Sequence, residues 1–323
     1  MFRTELIPKP SPEKISLADD LMSIGSCFAV NIGQKLRENK FRIDVNPFGT
    51  LFNPHSIFKL LKLSMDSGSI SDEWIVNHQG VYHHYDFHGD FSALSQAELL
   101  ERAERLIHET HAKVQSLSFL IVTFGTAIVY EWKENGQIVA NCHKIPAFKF
   151  NRRQMDVVEI YREFHGFYEQ LKRLNPKVRI ILTVSPVRHM KESFEQNNLS
   201  KSILRVACDQ ISRSFPGISY FPAFEIMMDD LRDYRFYAED MLHPNAVATD
   251  YIWQKFAETY FDAETALFIR AWGEVQKALQ HRPFHPSSME HQQFILKTIE
   301  RVKEFSIVVN VENELRQLTA QLI

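Results

Sequence analysis

Cysteine is scarce in this 323-residue sequence. There are three, Cys27, Cys142 and Cys208, odd in number and too widely spaced for a disulfide framework or a zinc-binding Cys-x-x-Cys pair. A reducing compartment, the cytoplasm, is the expectation. No apolar run reaches the roughly 18 residues that a membrane-crossing helix needs. The start, Met1 to Pro8, has no basic segment followed by an apolar run and a small-residue cleavage site, so neither a leader nor a membrane partner is expected. Charge of either sign is not in excess. With 37 Lys+Arg against 40 Asp+Glu and a formal net charge of −3, and with no basic cluster interleaved with aromatics, nucleic acid is not an expected partner. The 14 histidines lack metal-binding spacing even at their densest, Tyr82-His83-His84-Tyr85-Asp86-Phe87-His88. They are read as lining a polar cleft, and no metal or cofactor is expected.

What is present is enough apolar residue, 45%, for one large domain or two ordinary ones. The organising stretch is Met22-Ser23-Ile24-Gly25-Ser26-Cys27-Phe28-Ala29. Leu21 to Ile24 read as a short buried strand, Gly25 breaks it, and Phe28 to Asn39 have helical spacing. Ser26 and Cys27 therefore fall at a strand-to-helix turn, where unpaired helix N–H groups favour a thiolate, an oxyanion or a phosphate. The alternative is an N-cap serine beside a small buried cysteine. Far along the chain, Asp240-Met-Leu-His243-Pro244 places an acid three residues before a histidine, a spacing that lets the carboxylate orient the imidazole. Together the two stretches read as the two ends of one hydrolase site.

Between them, strand-like and helical segments alternate. The strands are Leu21–Ile24, Phe41–Val45, Ser118–Thr123, Val178–Val184 and Gly217–Phe221. The helices are Phe28–Asn39, Pro54–Met65 capped by Asn53, Gln96–Ser116, Val157–Leu174, Leu199–Phe215 and Asn245–Phe261. This alternation predicts a doubly wound α/β/α sandwich with five parallel strands in the order 2-1-3-4-5. Trp74–Asp90 and the segments around Glu134-Asn135-Gly136 read as inserted hairpins, the first either a surface flap or a substrate lid. Residues 1–261 form the main domain in this reading. Residues 262–323 form a helical extension, broken at His281–Pro286 and holding one short strand-like run, Ser306–Val311.

Gly25-Ser26-Cys27-Phe28-Ala29 spells GSCFA, and the chain resembles the GSCFA-domain family of bacterial proteins, itself similar to the SGNH (GDSL-like) hydrolase superfamily. Asn46-Pro-Phe-Gly-Thr, Asn141-Cys-His-Lys, Ser185-Pro-Val-Arg-His and Leu231–Tyr237 leading to the Asp240 turn fit the same family, over roughly residues 1–260. The superfamily implies a three-layer sandwich, a Ser-His-Asp site and an ester or acyl-group substrate. Laying its Gly-Asp-Ser block on Gly25-Ser26-Cys27 puts cysteine at the nucleophile position. Its second-block glycine corresponds to Gly49. Its third block, Gly-x-Asn-Asp, meets Gly125-Thr126-Ala127-Ile128, with alanine where an oxyanion-binding asparagine is expected. Asn46, Thr126 or Asn141 could take that place, or turnover could be weakened.

The expected chemistry is hydrolysis of an acyl ester or thioester through a covalent acyl-enzyme. Cys27 attacks, His243 moves the proton, Asp240 fixes the imidazole tautomer, and the backbone N–H groups of Cys27 and Gly49 hold the oxyanion. Ser26 is the competing nucleophile, or otherwise a cap. The helix terminus and a neighbouring imidazolium are expected to lower the Cys27 thiol pKa. Acyl transfer to a sugar hydroxyl and a binding protein without turnover remain as other readings. Arg188 and His189, at a strand end, suit either a structural cluster or a substrate carboxylate or phosphate. His143 is grouped with the substrate-binding residues, although its neighbour Cys142 is expected to face the opposite way. Cys208 is expected in the core. The partner is a small acylated molecule; the oligomeric state is left open.

Overall fold

The first strand reads Asp-Leu-Met-Ser-Ile-Gly, and every residue after the aspartate is buried, as in a strand covered on both faces. A computed structural model describes residues 4–191 and 193–323. In it this strand, β1 (Asp20–Gly25), runs into α1 (Cys27–Glu38) and returns as β2 (Arg42–Val45), which pairs with β1 in parallel. Then comes α2 (Pro54–Met65). Its cap is Asn53, whose Oδ1 accepts from Ser56 N at 2.8 Å, and Pro54 sits in the first turn, where a missing N–H leaves no acceptor unpaired.

Here the chain leaves the main sheet. β3 (Ile75–His78), β4 (Val81–His84) and the two-residue β5 (Ser92–Ala93) make a small antiparallel sheet, turned at Gln79 and Gly80, both with positive φ. The expected first hairpin is present with one strand added. α3 (Gln96–Ser116) leads back to β6 (Phe119–Phe124), six buried residues in a row that pair with β1. A second excursion, β7 (Ile128–Trp132), β8 (Ile138–Val139) and β9 (Phe150–Gln154), is antiparallel in the order β8-β7-β9. α4 (Val157–Leu174), β10 (Arg179–Val184), α5 (Phe194–Ser214) and β11 (Ile218–Tyr220) complete the main sheet. α5 begins five residues before the expected Leu199, because Ser193 caps it through Gln196 N. The short α6 (Ala223–Glu225) and α7 (Ala246–Tyr260) follow.

The parallel sheet has the order β11-β10-β6-β1-β2, which is the expected 2-1-3-4-5 read from the other edge. Side chains alternate across it. Met22, Ile24, Leu120, Val122, Ile180 and Leu182 face one buried cluster with Phe58 of α2, Ile107 of α3, Phe164 of α4 and Leu204 of α5. Leu21, Ile121 and Ile181 face the other, with Phe28 and Ile32 of α1 and Ile252 and Phe256 of α7. The result is the expected three-layer α/β/α sandwich.

Beyond it, α8 (Ala263–Gln280), α9 (Met289–Glu304) and α10 (Glu312–Thr319) gather around Trp272, Val275, Ile295 and Val302, a cluster of their own. The strand-like run Ser306–Val311 is not a strand. Phe305–Ile307 form one tight helical turn, Ile307 points to solvent, and Val311 is buried in the helical cluster. A run of apolar residues with no edge to pair against becomes a connector. Trp272 Nε1 and Gln276 Nε2 donate to Glu38 O, at 2.9 and 2.6 Å, and so dock this unit on the last turn of α1. Among the described residues no helix is long and apolar enough to cross a membrane.

Two helical glycines make opposite predictions. A Cβ on Gly33 of α1 would lie 2.6 Å from Ser23 Oγ and 2.7 Å from Val45 Cγ2, whereas one on Gly166 of α4 meets nothing within 4 Å. Gly33→Val is therefore expected to destabilise by ~2 kcal/mol or more through overpacking, and Gly166→Ala to stabilise by ~0.5–1 kcal/mol through helix propensity. Urea unfolding of both variants checks the pair of signs.

Candidate active site

The position of Cys27 is set one residue earlier, where β1 must end abruptly. A side chain on Gly25 would put its Cβ 2.0 Å from Thr123 O, and Gly25 has φ +135°, so only glycine fits there. Asn46 grips that peptide from both sides. Its Oδ1 accepts from Gly25 N at 2.8 Å and its Nδ2 donates to Gly25 O at 3.1 Å. Leu51 N also donates to Gly25 O, and Ser26 N donates to Thr123 O. Ser26 then caps α1, its Oγ accepting from Phe28 N, and is 2% exposed. Cys27 is the first helical residue, half-buried, and its N–H has no acceptor within the helix. Burial pushes the Cys27 thiol up, and its own backbone N–H only partly opposes this. The expected lowering of that thiol is absent, because desolvation of a charged sulfur outweighs one N–H dipole.

The second half of the site is a tight loop before α7. Asp240 Oδ1 accepts from Leu242 N and His243 N at 2.9 and 3.0 Å, and Oδ2 lies 2.6 Å from His243 Nδ1. Those two backbone N–H groups, with the imidazole, hold the Asp240 carboxyl down at about 2. It therefore stays ionised at neutral pH and fixes the ring by Nδ1, leaving Nε2 outward. The loop is pinned on several sides. Arg188 N donates to Leu242 O, Ala238 N to His243 O, and Asn245 both donates to Arg235 O and caps α7 through Ala248 N.

Ser26, Cys27 and His243 line one cavity of about 600 Å³ at the carboxyl ends of β1, β6 and β10. Gly125, Thr126, Asn141, Arg188 and His189 line it too. No hydrogen bond joins Cys27 to His243; they share the cavity without touching through one. Thr126 Oγ1 is engaged with Ser200 Oγ and Ile128 N. His189 N donates to Asn197 Oδ1.

Three expected site residues lie elsewhere. Asn46 is the clamp on Gly25, with both ends of its amide occupied there. The N–H of Gly49 donates to Asn46 O and closes a turn, so it is not available to an oxyanion. His143 is buried between the two small sheets, stacked on His83 at 4.6 Å, with Nε2 2.9 Å from His84 O. Burial pushes its imidazole down to about 4. Its neighbour Cys142 does line the cavity; the two part at a turn, where His143 and Lys144 have positive φ, and not by alternation along a strand. The histidine-rich stretch lines no part of this cavity either; His83 and His84 are packed against His143 and the Ser71 carbonyl. Trp74–Asp90 therefore does not cover the cavity as a lid would; Tyr85 instead backs its wall, its carbonyl accepting from Ala140 N and Asn141 N and its ring lying 6.2 Å from Phe150. Among the described residues no group of three or more His, Cys, Asp or Glu could hold a metal ion.

Two residues went unnoticed in the sequence. Asn53 lines the cavity, and because its Oδ1 is committed to Ser56 N, its Nδ2 is the end left without a hydrogen bond. It adjoins Phe52, whose carbonyl accepts from Gly125 N and Thr126 N, and a Cβ on Gly125 would lie 3.2 Å from Ser26 Cβ. Phe52, Gly125 and Ser26 are thus packed together, one residue away from Asn53 and Cys27. The Asn141 amide, also on the cavity, lies against Gly89, and its Oδ1 accepts from His143 N. A helix-starting Asn-Pro was its signal, and that signal reads as a cap alone.

The other is Lys201, 1% exposed, whose Nζ donates to Gly125 O and Ser185 O at 2.7 and 2.8 Å. It ties the ends of β6 and β10 together beneath the cavity. Among the described residues no carboxylate accompanies it, and burial pushes its amine down to about 7. From one sequence, a lysine on a helix gives no sign of this.

These features define the class as doubly wound α/β/α proteins whose site lies outside the carboxyl ends of the strands. Within that class the chain belongs to the GSCFA family: the family model matches residues 20–256, and the model of the GSCFA domain protein C-terminal domain matches residues 272–323. No curated protein matches the chain. Among solved structures it is similar to the "putative platelet activating factor" of Streptococcus pneumonia, at 13% identity and TM-score 0.38, covering 76% of this chain and 85% of that one. It is also similar to a carbohydrate esterase family 3 protein from Talaromyces cellulolyticus, at 7% identity and TM-score 0.35, covering 78% and 98%. Both likenesses are too distant to carry an argument about chemistry.

Two predictions follow from the supports of the site. Asn46→Ala removes two buried hydrogen bonds and leaves the Gly25 peptide underpaired, a loss of ~1–3 kcal/mol that urea unfolding measures. Lys201 makes stability depend on pH. Below about pH 7 its amine is charged in both states, whereas between about 7 and 10.5 the unfolded chain holds a proton that the folded chain has released. Stability therefore rises with pH across that window, by up to ~1.4 kcal/mol per unit. The difference in unfolding free energy between wild type and Lys201→Met should grow over the same window; parallel curves would show that the amine is not neutral in the folded protein.

Proposed function

We propose that this protein hydrolyses an acyl ester or thioester through a covalent intermediate on Cys27. The observation that carries the reading is the meeting of a thiol at a helix start and an aspartate-oriented imidazole on one cavity. Because burial raises the thiol, the nucleophile is not a standing thiolate. His243 Nε2 takes the proton as Sγ attacks the acyl carbonyl, and returns it to the departing alcohol or thiol; water then repeats the sequence in reverse roles. Asp240 holds the imidazole and balances its transient charge. The oxyanion is met by the N–H of Cys27 and, in place of the asparagine missing at Ala127, by Nδ2 of Asn53. Acyl transfer to a sugar hydroxyl differs only in the acceptor of the second step.

Turnover of an ester and thioester panel tests the assignment. Cys27→Ala should abolish it, while Ser26→Ala should retain most of it and lose only the ~1 kcal/mol of an N-cap. Asn53→Ser keeps a cap but removes the amide donor, and should lower kcat by roughly 10²–10³ with little change in stability. Iodoacetamide should alkylate Cys27 with an inflection above the ordinary thiol value of 9.0. An active Cys27→Ala beside a dead Ser26→Ala would reverse the two residues. If folded wild type turns over nothing, the cavity belongs to a binding protein, a reading that alanine at position 127 favours.

A further inference from the structure

The walls of the cavity divide into two chemistries. One wall, from the β7–β9 sheet and the loop between β8 and β9, is apolar: Ile128, Tyr130, Val139, Ile145 and Phe150. The rest carries positive charge, from Lys144, Arg188 and Lys191, and no aspartate or glutamate is among the described residues that line it.

Arg188 is the informative member. Its guanidinium lies 4.1 Å from the Tyr237 ring, 5.3 Å from Tyr234 and 5.6 Å from Phe194, which hold it in place. Among the described residues no carboxylate pairs with it, and its buried Nη1 has no hydrogen-bond partner. A guanidinium normally satisfies its fork with an anion, and a buried donor left unmade is costly. Aromatic faces offset part of that cost but offer no acceptor in the guanidinium plane. The backbone of the same residue donates to Leu242 O, which places it beside the His243 loop. An arginine held this way, in a cavity with no acid among its described lining residues and next to an apolar wall, is built for a ligand that is both oily and anionic.

We propose that the ligand of this cavity is an amphipathic anion, a molecule joining an apolar acyl chain to a carboxylate or phosphate, with the chain along the β7–β9 sheet and the anion on the Arg188 fork. This names the substrate class of the site and rests on the proposed acyl chemistry for its turnover, but not for its binding. A volume of about 600 Å³ is within the ~300–1,000 Å³ of ordinary small-molecule sites and suits a chain of medium length.

The test is binding, measured by calorimetry on the full-length protein, with octyl phosphate, octanoate, octanol, methyl phosphate and acetate as probes. Octyl phosphate or octanoate should bind at least tenfold more tightly than octanol and than the short anions, with an affinity that falls as salt rises. The tighter of the two identifies the source of the anion. Bound amphiphile should also slow alkylation of Cys27 by iodoacetamide, which locates it in this cavity. Arg188→Met should remove the preference for anion over alcohol, and Arg188→Lys, which keeps the charge but not the fork, should retain part of it. Should Arg188→Met fail to fold, the Arg188→Lys series and the salt dependence of wild type decide the matter. Equal affinity for octanol and the octyl anions, or anion binding that leaves Cys27 fully reactive, overturns the proposal. Binding and protection without any ester turnover would instead reject the hydrolase reading and leave this one standing; turnover of neutral esters with no anion preference would do the reverse.

Discussion

The thiol half of the candidate site depends on the two hydrogen bonds between the Asn46 amide and the backbone N–H and C=O of Gly25. A strand can run into a helix only if its last peptide turns out of the sheet, and Gly25 does so at a φ that a side chain could not adopt. Glycine allows the turn; Asn46 chooses it. With both groups of that peptide satisfied, the start of α1 is fixed to the residue, Ser26 becomes its cap and Cys27 faces the cavity. The clamp comes from the end of β2, which pairs with β1, so the strand pairing and the site geometry are one constraint.

Backbone conformations of high energy collect around the same cavity. Asn46, His143, Lys144 and Met241 all have positive φ without being glycine, and they belong to three loops that form or support the site: after β2, after β8 and between Asp240 and His243. Each such residue costs of order 1 kcal/mol, and the surroundings must hold it there. Met241 is held by the bonds that Asp240 makes to Leu242 and His243, so the loop that aims the imidazole is also the loop that bears the strain. Beneath the cavity, Lys201 adds a buried amine between two carbonyls. The sandwich supplies stability and the loops above it consume some.

The sandwich was legible because its signals are local and repeated. Continuous apolar strands such as Phe119–Phe124, amphipathic helices with caps such as Asn53 and Ser95, and strict alternation leave few topologies open. The contact between Asp240 and His243 was legible as well, since a residue pair at fixed spacing on one turn reports its own geometry. What the sequence could not convey was which polar side chains are already engaged. Asn46, Gly49 and Thr126 are all plausible oxyanion groups on paper, yet hydrogen bonds to Gly25, Asn46 O and Ser200 engage them, while Asn53, which reads as a cap alone, keeps an amide N–H without a partner in the cavity. The Cys27 thiol departs from its expected value for a related reason: the helix terminus can be read from sequence, but the desolvation that overrides it comes from residues that the fold brings over it from distant parts of the chain. His143 belongs to the same class of error, a histidine assigned to a cleft that tertiary packing had closed over.

The end of α1 and the residues just after it join parts of the molecule that have separate cores, Lys40 reaching Glu314 and Asn310 O. Glu38 O, at the last turn of α1, receives the Trp272 indole and the Gln276 amide from the C-terminal helices, while the first turn of the same helix carries Cys27. At ~1.5 Å per residue, a 12-residue helix puts those two ends about 18 Å apart. The helix acts as a rod seated at both ends, one in the loop clamped by Asn46 and the other in the C-terminal unit. A rod held at a single end can pivot. The C-terminal helices thus bear on the position of Cys27 without reaching the cavity, by denying α1 a tilt that would shift its first residue along the cavity wall.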